Sequence, residues 1–351
     1  MSAASRILLA HAGAYPRNGD SSEEQILRKT SEAFARGERT IADLLDAENV
    51  VTRLLIHEQV RAGVELLTDG CARWADPIAH VAGKYSGITL GRTRKLPWSD
   101  AEYRVPRITG KLLRQADEQR SIAQEYRYAR NALGLLPTSP ERAGRLSLKP
   151  VLTGPYTLAR CSESDLPGFG SVEARTEGFA ELVAKEVGPL AAAGASIIQL
   201  DEPAILTAPG DWEVFRRAIA HIATVRDAAA QGGRRVQLAL HVFGALQAEL
   251  LPRLLKLPIE ILGLDFTQEP GLVEALRSAG LDKGMGLAAG LVSGDFAGLE
   301  DEGGLRQTAA SLLTLCEGHL TMGPASGMAS LPRETAFAKL RSLAAVQAAM
   351  A

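Results

Sequence analysis

The sequence predicts an α/β fold of the (β/α)8 (TIM) barrel type, and three observations carry that expectation. Short apolar runs that end in polar or glycine-rich residues recur eight times, segments of helical period separate them, and chemistry-bearing side chains follow nearly every run. A continuous apolar run marks a strand buried on both faces of a parallel sheet, and strands that alternate with helices imply such a sheet. Reactive residues spread over all the strand exits favour a closed barrel over an open doubly wound sheet, whose ligands bind at one switch point.

The first run, Ile7 to Leu9, leads into His11-Ala12-Gly13-Ala14-Tyr15-Pro16-Arg17. Helical period over Ser22 to Ala35 and Ala47 to Ala62 precedes the second, Val64 to Leu67, which ends in Thr68-Asp69-Gly70-Cys71. The third, Leu148 to Leu152, ends in Thr153-Gly154-Pro155-Tyr156, with a helix expected over Val172 to Ala193. The fourth, Ala195 to Leu200, stops at Asp201-Glu202-Pro203, two carboxylates and a proline whose fixed φ stiffens the turn. A helix over Trp212 to Gln231 leads to Val236 to Leu240 and His241-Val242-Phe243-Gly244. A further helix over Leu246 to Leu257 leads to Ile259 to Leu264 and Asp265-Phe266-Thr267-Gln268. Gly271 to Ser278 reads as a helix before Gly284 to Ala289, which exits through Gly290-Leu291-Val292-Ser293. Leu305 to Cys316 reads as the next helix, His319 to Met322 as the last strand with Gly323-Pro324-Ala325-Ser326-Gly327 after it, and Arg333 to Met350 as the closing helix.

One connection breaks this spacing. Residues 71–147, between the second and third barrel strands, carry Tyr85, Trp98, Tyr103 and several glycines, which predict a short excursion of strands. Lys111 to Leu133 predicts a helix, and Pro137-Thr138-Ser139-Pro140 a break before the third strand. Long insertions are usually functional, so a lid or substrate wall is expected there, within a single domain over 1–351. The formal charge of -2, with acids and bases interleaved, gives no electrostatic footprint for nucleic acid or an anionic membrane. No stretch approaches the roughly 18 apolar residues of a membrane span, and Met1 to Arg6 lacks the pattern of a secretory leader, so a cytoplasmic protein is expected. Cys71, Cys161 and Cys316 are far apart and without CxxC spacing, which argues against a disulfide framework or a structural zinc knuckle.

Taken together, His11 to Arg17, Thr68-Asp69-Gly70, Leu152-Thr153-Gly154-Pro155-Tyr156-Thr157, Gln199-Leu200-Asp201-Glu202-Pro203-Ala204 and Gly323 to Gly327 resemble the catalytic barrel of cobalamin-independent methionine synthase and its relatives, in the same order and at matching strand ends. That superfamily includes epoxyalkane:coenzyme M transferases, and the resemblance covers essentially the whole chain. It implies movement of a methyl or larger alkyl group to or from sulfur. It also implies a zinc ion that binds and deprotonates the acceptor thiol through a His, a Cys two residues later, an acidic or Cys ligand one strand on, and a Cys in the last turn. Here the His is His241, and the other positions hold Phe243, Asp265 and Ser326. A catalytic zinc takes about three protein ligands. Phe has no lone pair and a Ser hydroxyl is a poor ligand near neutral pH, so zinc is not expected at the inherited positions and the chain reads as a divergent member. The family's clamp for an amino-acid substrate is altered as well. Cys71 stands where an acid would pair with homocysteine's ammonium and Ala14 where a serine would stand, which leaves Asp201.

The candidate catalytic residues are therefore His241, Asp265 and Cys71. His241 is read as a general base or a remaining metal ligand, Asp265 as the group that fixes its tautomer, and Cys71 as a nucleophile, a substitute ligand or a small buried hydrophobe. Should a metal be bound, the expected set is a relocated one of His241, Asp265 and Cys71. Substrate binding falls to His11, Gly13, Asp69, Gly154, Tyr156, Gln199, Asp201 and Ser326. The backbone donors of Gly13 and Gly154 are expected to approach a carboxylate or sulfonate. Tyr156, Trp74 and Trp98 either stack on a flat ligand or pack in the interior. Asp265 reads equally as a helix cap, Glu202 as a structural acid, and Cys161 and Cys316 as inert. The expected function is a methyl- or alkyl-group transferase acting on a small polar or sulfur-containing substrate. The alternatives are a zinc-dependent 5-methyltetrahydrofolate/homocysteine-type S-methyltransferase with a rebuilt metal site, and a non-catalytic relative that binds a cofactor or partner. A folate or a corrinoid is the candidate methyl donor. A small molecule is the expected partner, with a methyl-donor protein or a second copy as macromolecular candidates; nucleic acid and membrane are not expected.

Overall fold

The computed structural model of the chain describes residues 6–115, 121–230, 235–282, 284–316 and 319–350. Its strands are β1 (Arg6–Leu9), β2 (Leu66–Leu67), β3 (Tyr85–Lys95), β4 (Glu102–Arg114), β5 (Ser147–Leu148), β6 (Val151–Thr153), β7 (Glu163–Ser164), β8 (Ile197–Asp201), β9 (Gln237–Val242), β10 (Ile261–Asp265), β11 (Gly286–Val292) and β12 (His319–Pro324). The eight expected barrel strands form where the apolar runs place them. The third is divided into β5 and β6 at Lys149-Pro150, because proline has no N–H to give to a ladder. Parallel strands alternating with helices make this the (β/α)8 fold class.

The described residues form two compact units, Met1–Arg73 with Tyr128–Lys149 and Ala289–Ala351, and Trp74–Arg127 with Pro150–Ala288. In the first unit β1 pairs parallel with β12, from Arg6↔His319 to Leu9↔Met322, and β2 with β5. The helix Ile41–Ala62 opens on a capping box between Thr40 and Asp43 and closes on Gly63 in the left-handed region, where a residue without Cβ meets no steric penalty. Its Val51, Leu55 and Ile56 are buried with Leu9, Leu67, Met322, Leu340 and Leu343. Two buried cations of this unit are neutralised by acids, Lys339 Nζ 2.6 Å from Glu300 and Arg333 2.7 Å from Glu58.

In the second unit β6, β8, β9 and β10 pair in succession, all parallel. The helices Val172–Ala192 and Trp212–Ala230 supply much of its apolar interior, including Phe179, Val183, Phe215 and Ile219. β3 and β4 form a long antiparallel hairpin, and β7 adds in parallel to the other edge of β4.

Where the sequence reading and the structure differ, local chemistry explains the difference. The excursion after Cys71 is not short: its two strands run 11 and 13 residues. The helix expected from Lys111 begins only at Ile122, because Lys111 to Arg114 continue the in-and-out alternation of β4. Residues 116–120 of that expectation lie outside the described residues. The helix expected over Leu246 to Leu257 shrinks to Leu251–Leu254, bounded by Pro252 in its first turn and Pro258 beyond it. In the opposite direction, the capping box extends the second helix back to Ile41 from the expected Ala47.

Candidate active site

In the second unit the candidate residues lie at or just after the carboxyl ends of β6, β8, β9 and β10. Alternation along β8 puts Gln199 and Asp201 on one face. Gln199 Nε2 donates to Asp201 Oδ1 at 2.7 Å and lies 3.2 Å from His241 Nδ1; the carboxylate oxygen itself is 3.5 Å from that nitrogen. With one amide hydrogen given to Asp201, the other faces Nδ1. Nδ1 is then an acceptor and the neutral ring carries its proton on Nε2. The imidazole rests against Gly263 of β10, where a Cβ would stand 2.4 Å from Cδ2 and 3.1 Å from Cγ. The Phe243 ring packs beside it, centroids 5.4 Å apart.

Glu202, on the opposite face of the strand end, is wholly buried. Its Oε1 accepts the Tyr156 N–H at 2.9 Å, and its Oε2 accepts the Thr157 N–H at 2.7 Å and the Thr157 hydroxyl at 2.6 Å. It thus caps the helix Pro155–Arg160, whose own N-cap, Gly154, offers no side chain. Gly154 is required there, since a Cβ would fall 2.3 Å from Glu202 Oε1. Burial pushes the Glu202 carboxyl up to about 7, against the pull of its three donors and with help from the Asp201 charge.

Three expectations are corrected in this unit. The Gly154 N–H is not open to an anion, because it donates to Asp201 O at 2.9 Å. Tyr156 does not offer a stacking face: its buried ring packs edge-on against Phe215 and its hydroxyl donates to Asp211 at 2.8 Å. Asp265 is not seen to fix the His241 tautomer, since Nδ1 faces the Gln199 amide. Its own oxygens instead accept from the Gly244 N–H at 3.1 Å, the Thr267 N–H at 2.9 Å and the Thr267 hydroxyl at 2.6 Å. Nor does it cap the next helix, which starts from Gly271. Trp74 stacks on His80, centroids 5.3 Å apart, and Trp98 lies half-buried in the turn between β3 and β4.

The first unit gathers His11, Gly13, Asp69, Cys71 and Ser326 on three interlocked loops. Tyr15 N–H donates to Gly70 O, and Met328 N–H to Ala14 O. Gly327 lies so near Ala14 that an added Cβ would stand 3.1 Å from the alanine Cβ. His11 Nδ1 accepts the Gly13 N–H at 3.1 Å, so that donor, too, is spent inside its own turn. Asp69 Oδ1 accepts the Cys71 N–H at 2.9 Å. Cys71 has φ of 50°, the one positive value at a non-glycine position among the described residues, which costs about 1 kcal/mol or more and must be held by the surrounding turn. Ser326 Oγ donates to Gly327 O at 3.3 Å. Burial, with the Lys149 charge second, brings the His11 imidazole down to about 3, so it stays neutral.

At the positions where the resemblance implies zinc ligands, the side chains make other contacts. Phe243 contributes a hydrocarbon ring beside His241, His241 Nδ1 is engaged by Gln199, and Asp265 is committed to its turn. Among the described residues there is no group of three or more His, Cys, Asp or Glu side chains that could hold a metal ion. Cys161 and Cys316 are buried, and burial pushes their thiols up to about 12 and about 11. Sequence reasoning passed over Lys149, a lone lysine inside an apolar strand run and 5% exposed, whose oddity in that run was the available signal. It also passed over Gly263, which no motif marks, and the capping role of Glu202, which depends on Thr157 donors forty-five residues away.

The family described as cobalamin-independent synthase, catalytic domain, matches residues 10–350. The chain belongs to that family. It is 29% identical over 293 residues to the methionine synthase of Methanothermobacter thermautotrophicus, covering 82% of this chain and 85% of that protein. It is 24% identical over 335 residues to the methionine synthase of Saccharolobus islandicus, covering 94% and 91%. The fold is also that of a B12-independent methionine synthase from Shewanella sp. W3-18-1 solved in complex with selenomethionine, with a TM-score of 0.73 at 19% identity over 97% of both chains. A putative vitamin-B12 independent methionine synthase from Listeria monocytogenes gives 0.70 at 17% identity, covering 97% of this chain and 96% of that one. As a member of the cobalamin-independent synthase family the chain is a methyltransferase-like enzyme. No helix among the described residues is long and apolar enough to cross a membrane.

Proposed function

We propose that this member of the family moves a methyl or larger alkyl group to or from a small polar or sulfur-containing substrate without a zinc ion at the inherited positions. The observation that carries the reading is the Gln199, Asp201 and His241 constellation at the exits of β8 and β9. Asp201 is partly exposed and keeps Oδ2 for a hydrogen-bond donor or cation on the substrate. His241, with Nδ1 occupied, presents Nε2–H, so its role shifts from the base expected of it to a hydrogen-bond donor. As the acceptor sulfur, reacting as a thiolate whose proton has gone to solvent, forms its bond to the migrating carbon, the bond from that carbon to the leaving group breaks. The electron pair departs with the leaving group, which takes a hydrogen bond from Nε2–H and its proton from solvent. Gln199 acts through His241 as a positioning residue. With Cys71 and Ala14 in the altered clamp, homocysteine is expected to bind weakly.

Purified protein incubated with 5-methyltetrahydrofolate or a methylcorrinoid and a panel of small thiols tests this, with product methylation read by mass spectrometry. Transfer is expected in at least one donor–thiol pair. It should fall by about 10²-fold or more in Asp201→Asn and His241→Phe, and survive exhaustive chelation. Transfer that is lost on chelation and restored by zinc overturns the reading, as does a chain with no transfer in any pair.

A further inference from the structure

Strand register fixes which side chains share the space around His241. Asp201 pairs with His241, and His241 with Gly263; partners in parallel register point to the same face of a sheet. Two residues further along, the same alternation sets Phe243 beside Asp265, where the Gly244 N–H donates to Asp265 Oδ2 at 3.1 Å and ties the two strand exits together. The half-buried Phe243 ring rests on the imidazole, centroids 5.4 Å apart. The Asp201 side chain is 19% exposed, and its Oδ2 has no hydrogen-bond partner among the described residues. Ring and carboxylate therefore both reach solvent. Among the described residues neither Asp201 nor Asp265 pairs with a lysine or arginine. The face is negative, and part of its wall is aromatic.

We propose that this face binds an onium group of the substrate, a quaternary ammonium or a sulfonium, against the ring of Phe243 and in the field of Asp201 and Asp265. The assignment rests on the function proposed above and names the polar group of its substrate. Phe243 stands where the resemblance implies a thiolate. A phenyl ring has no lone pair for a metal ion, but the quadrupole of its π face attracts an organic cation. A cation without N–H bonds suits these residues in particular. Asp265 has given its oxygens to the Gly244 and Thr267 donors; it keeps its charge, and an onium head responds to charge without needing a lone pair. A primary ammonium needs three acceptors, and each N–H left unpaired away from water costs affinity. A neutral tert-butyl head of the same shape gains only the apolar contact.

Three thiols test this by calorimetry on the full chain. Thiocholine carries a quaternary ammonium, 3,3-dimethylbutane-1-thiol is its neutral carbon isostere, and cysteamine carries a primary ammonium at the same distance. Thiocholine should bind about tenfold tighter than the isostere, and tighter than cysteamine. Replacing Phe243 by 4-fluoro-, 3,5-difluoro- and 3,4,5-trifluorophenylalanine weakens the ring's quadrupole in steps at nearly constant shape, so the fold is kept. Thiocholine affinity should fall in that order, by about threefold to thirtyfold in all, while that of the isostere stays level. Tetramethylammonium and trimethylsulfonium are then set in competition with thiocholine, and the one that displaces it at lower concentration identifies the head group. The proposal is overturned by a chain that does not bind thiocholine, by equal binding of thiocholine and its isostere, or by a thiocholine affinity indifferent to fluorination. Cysteamine bound more tightly than thiocholine overturns it too. Fluorination-sensitive binding in a protein that transfers no methyl group would sink the proposed reaction and leave this assignment standing. Methylation of other thiols, with thiocholine and its isostere indistinguishable, would do the reverse.

Discussion

Replacing Glu202 by Gln should change how the protein's stability depends on pH, and the sign is opposite to that of most paired carboxylates. The folded-state carboxyl is raised to about 7 from an ordinary 4.5, chiefly by complete burial. A group raised in the folded state binds its proton more tightly there than in the unfolded chain, so its contribution is fully present below pH 4.5 and is lost as pH climbs through about 7. At about 1.4 kcal/mol per pH unit, the rise from 4.5 to about 7 amounts to about 3 kcal/mol. The amide side chain of the variant would occupy the same volume, still offer one oxygen to the Tyr156 and Thr157 donors, and not ionise. The parent should therefore lose about 3 kcal/mol relative to Glu202→Gln between pH 4.5 and pH 8, whatever the offset between them at low pH. Urea unfolding of both proteins across that range, followed by tryptophan fluorescence and circular dichroism, measures the gap. Parallel pH curves would refute the reasoning. A gap that closes in the parent's favour would show that the three donors outweigh burial and hold the carboxylate ionised.

What the sequence disclosed and what it withheld divide along a physical line. Strand positions were legible because a strand buried on both faces must be apolar throughout, and eight such runs leave little freedom in where the strands lie. The chemistry-bearing residues were legible as a set for the same reason, since polar side chains after an apolar run mark its exit. Partner choice was not. Asp265 and Asp201 both follow a strand and both could orient His241; only the fold shows that Asp265 is spent on Gly244 and Thr267 while Gln199 bridges Asp201 to the ring. Backbone donors were misjudged in the same manner. Gly13 and Gly154 have the right residue type to approach an anion, but each N–H already has an acceptor, supplied by His11 and Asp201. The insertion hairpin was underestimated because Leu112 and Leu113, adjacent in sequence, suggest a helical pair, whereas in β4 one is half-buried and the other exposed.

Three further predictions bear on the site. Gly263→Ala places a Cβ 2.4 Å from His241 Cδ2, and a ring anchored at Nδ1 has little room to yield. The expected cost is about 1–3 kcal/mol together with a displaced His241 resonance and a drop in transfer, and an unchanged His241 spectrum would refute that packing. Protein purified without added metal should carry far less than stoichiometric zinc, because Phe243 supplies no ligand beside His241; stoichiometric zinc with two or more sulfur neighbours in its absorption edge would overturn the reading. Cys71→Glu should strengthen homocysteine binding about tenfold to a hundredfold, the worth of one charge-assisted contact to the ammonium, while leaving 4-mercaptobutyrate unchanged. The backbone at Cys71 already holds a φ of 50°, so the exchange adds no new left-handed strain, and Cys71→Asp repeats the test with a smaller acid that tolerates this conformation better. Calorimetry of both ligands against parent and variants decides it: equal gains for the two ligands would mean that position 71 does not face the amino group, and tight homocysteine binding by the parent would mean that the altered clamp has been misread.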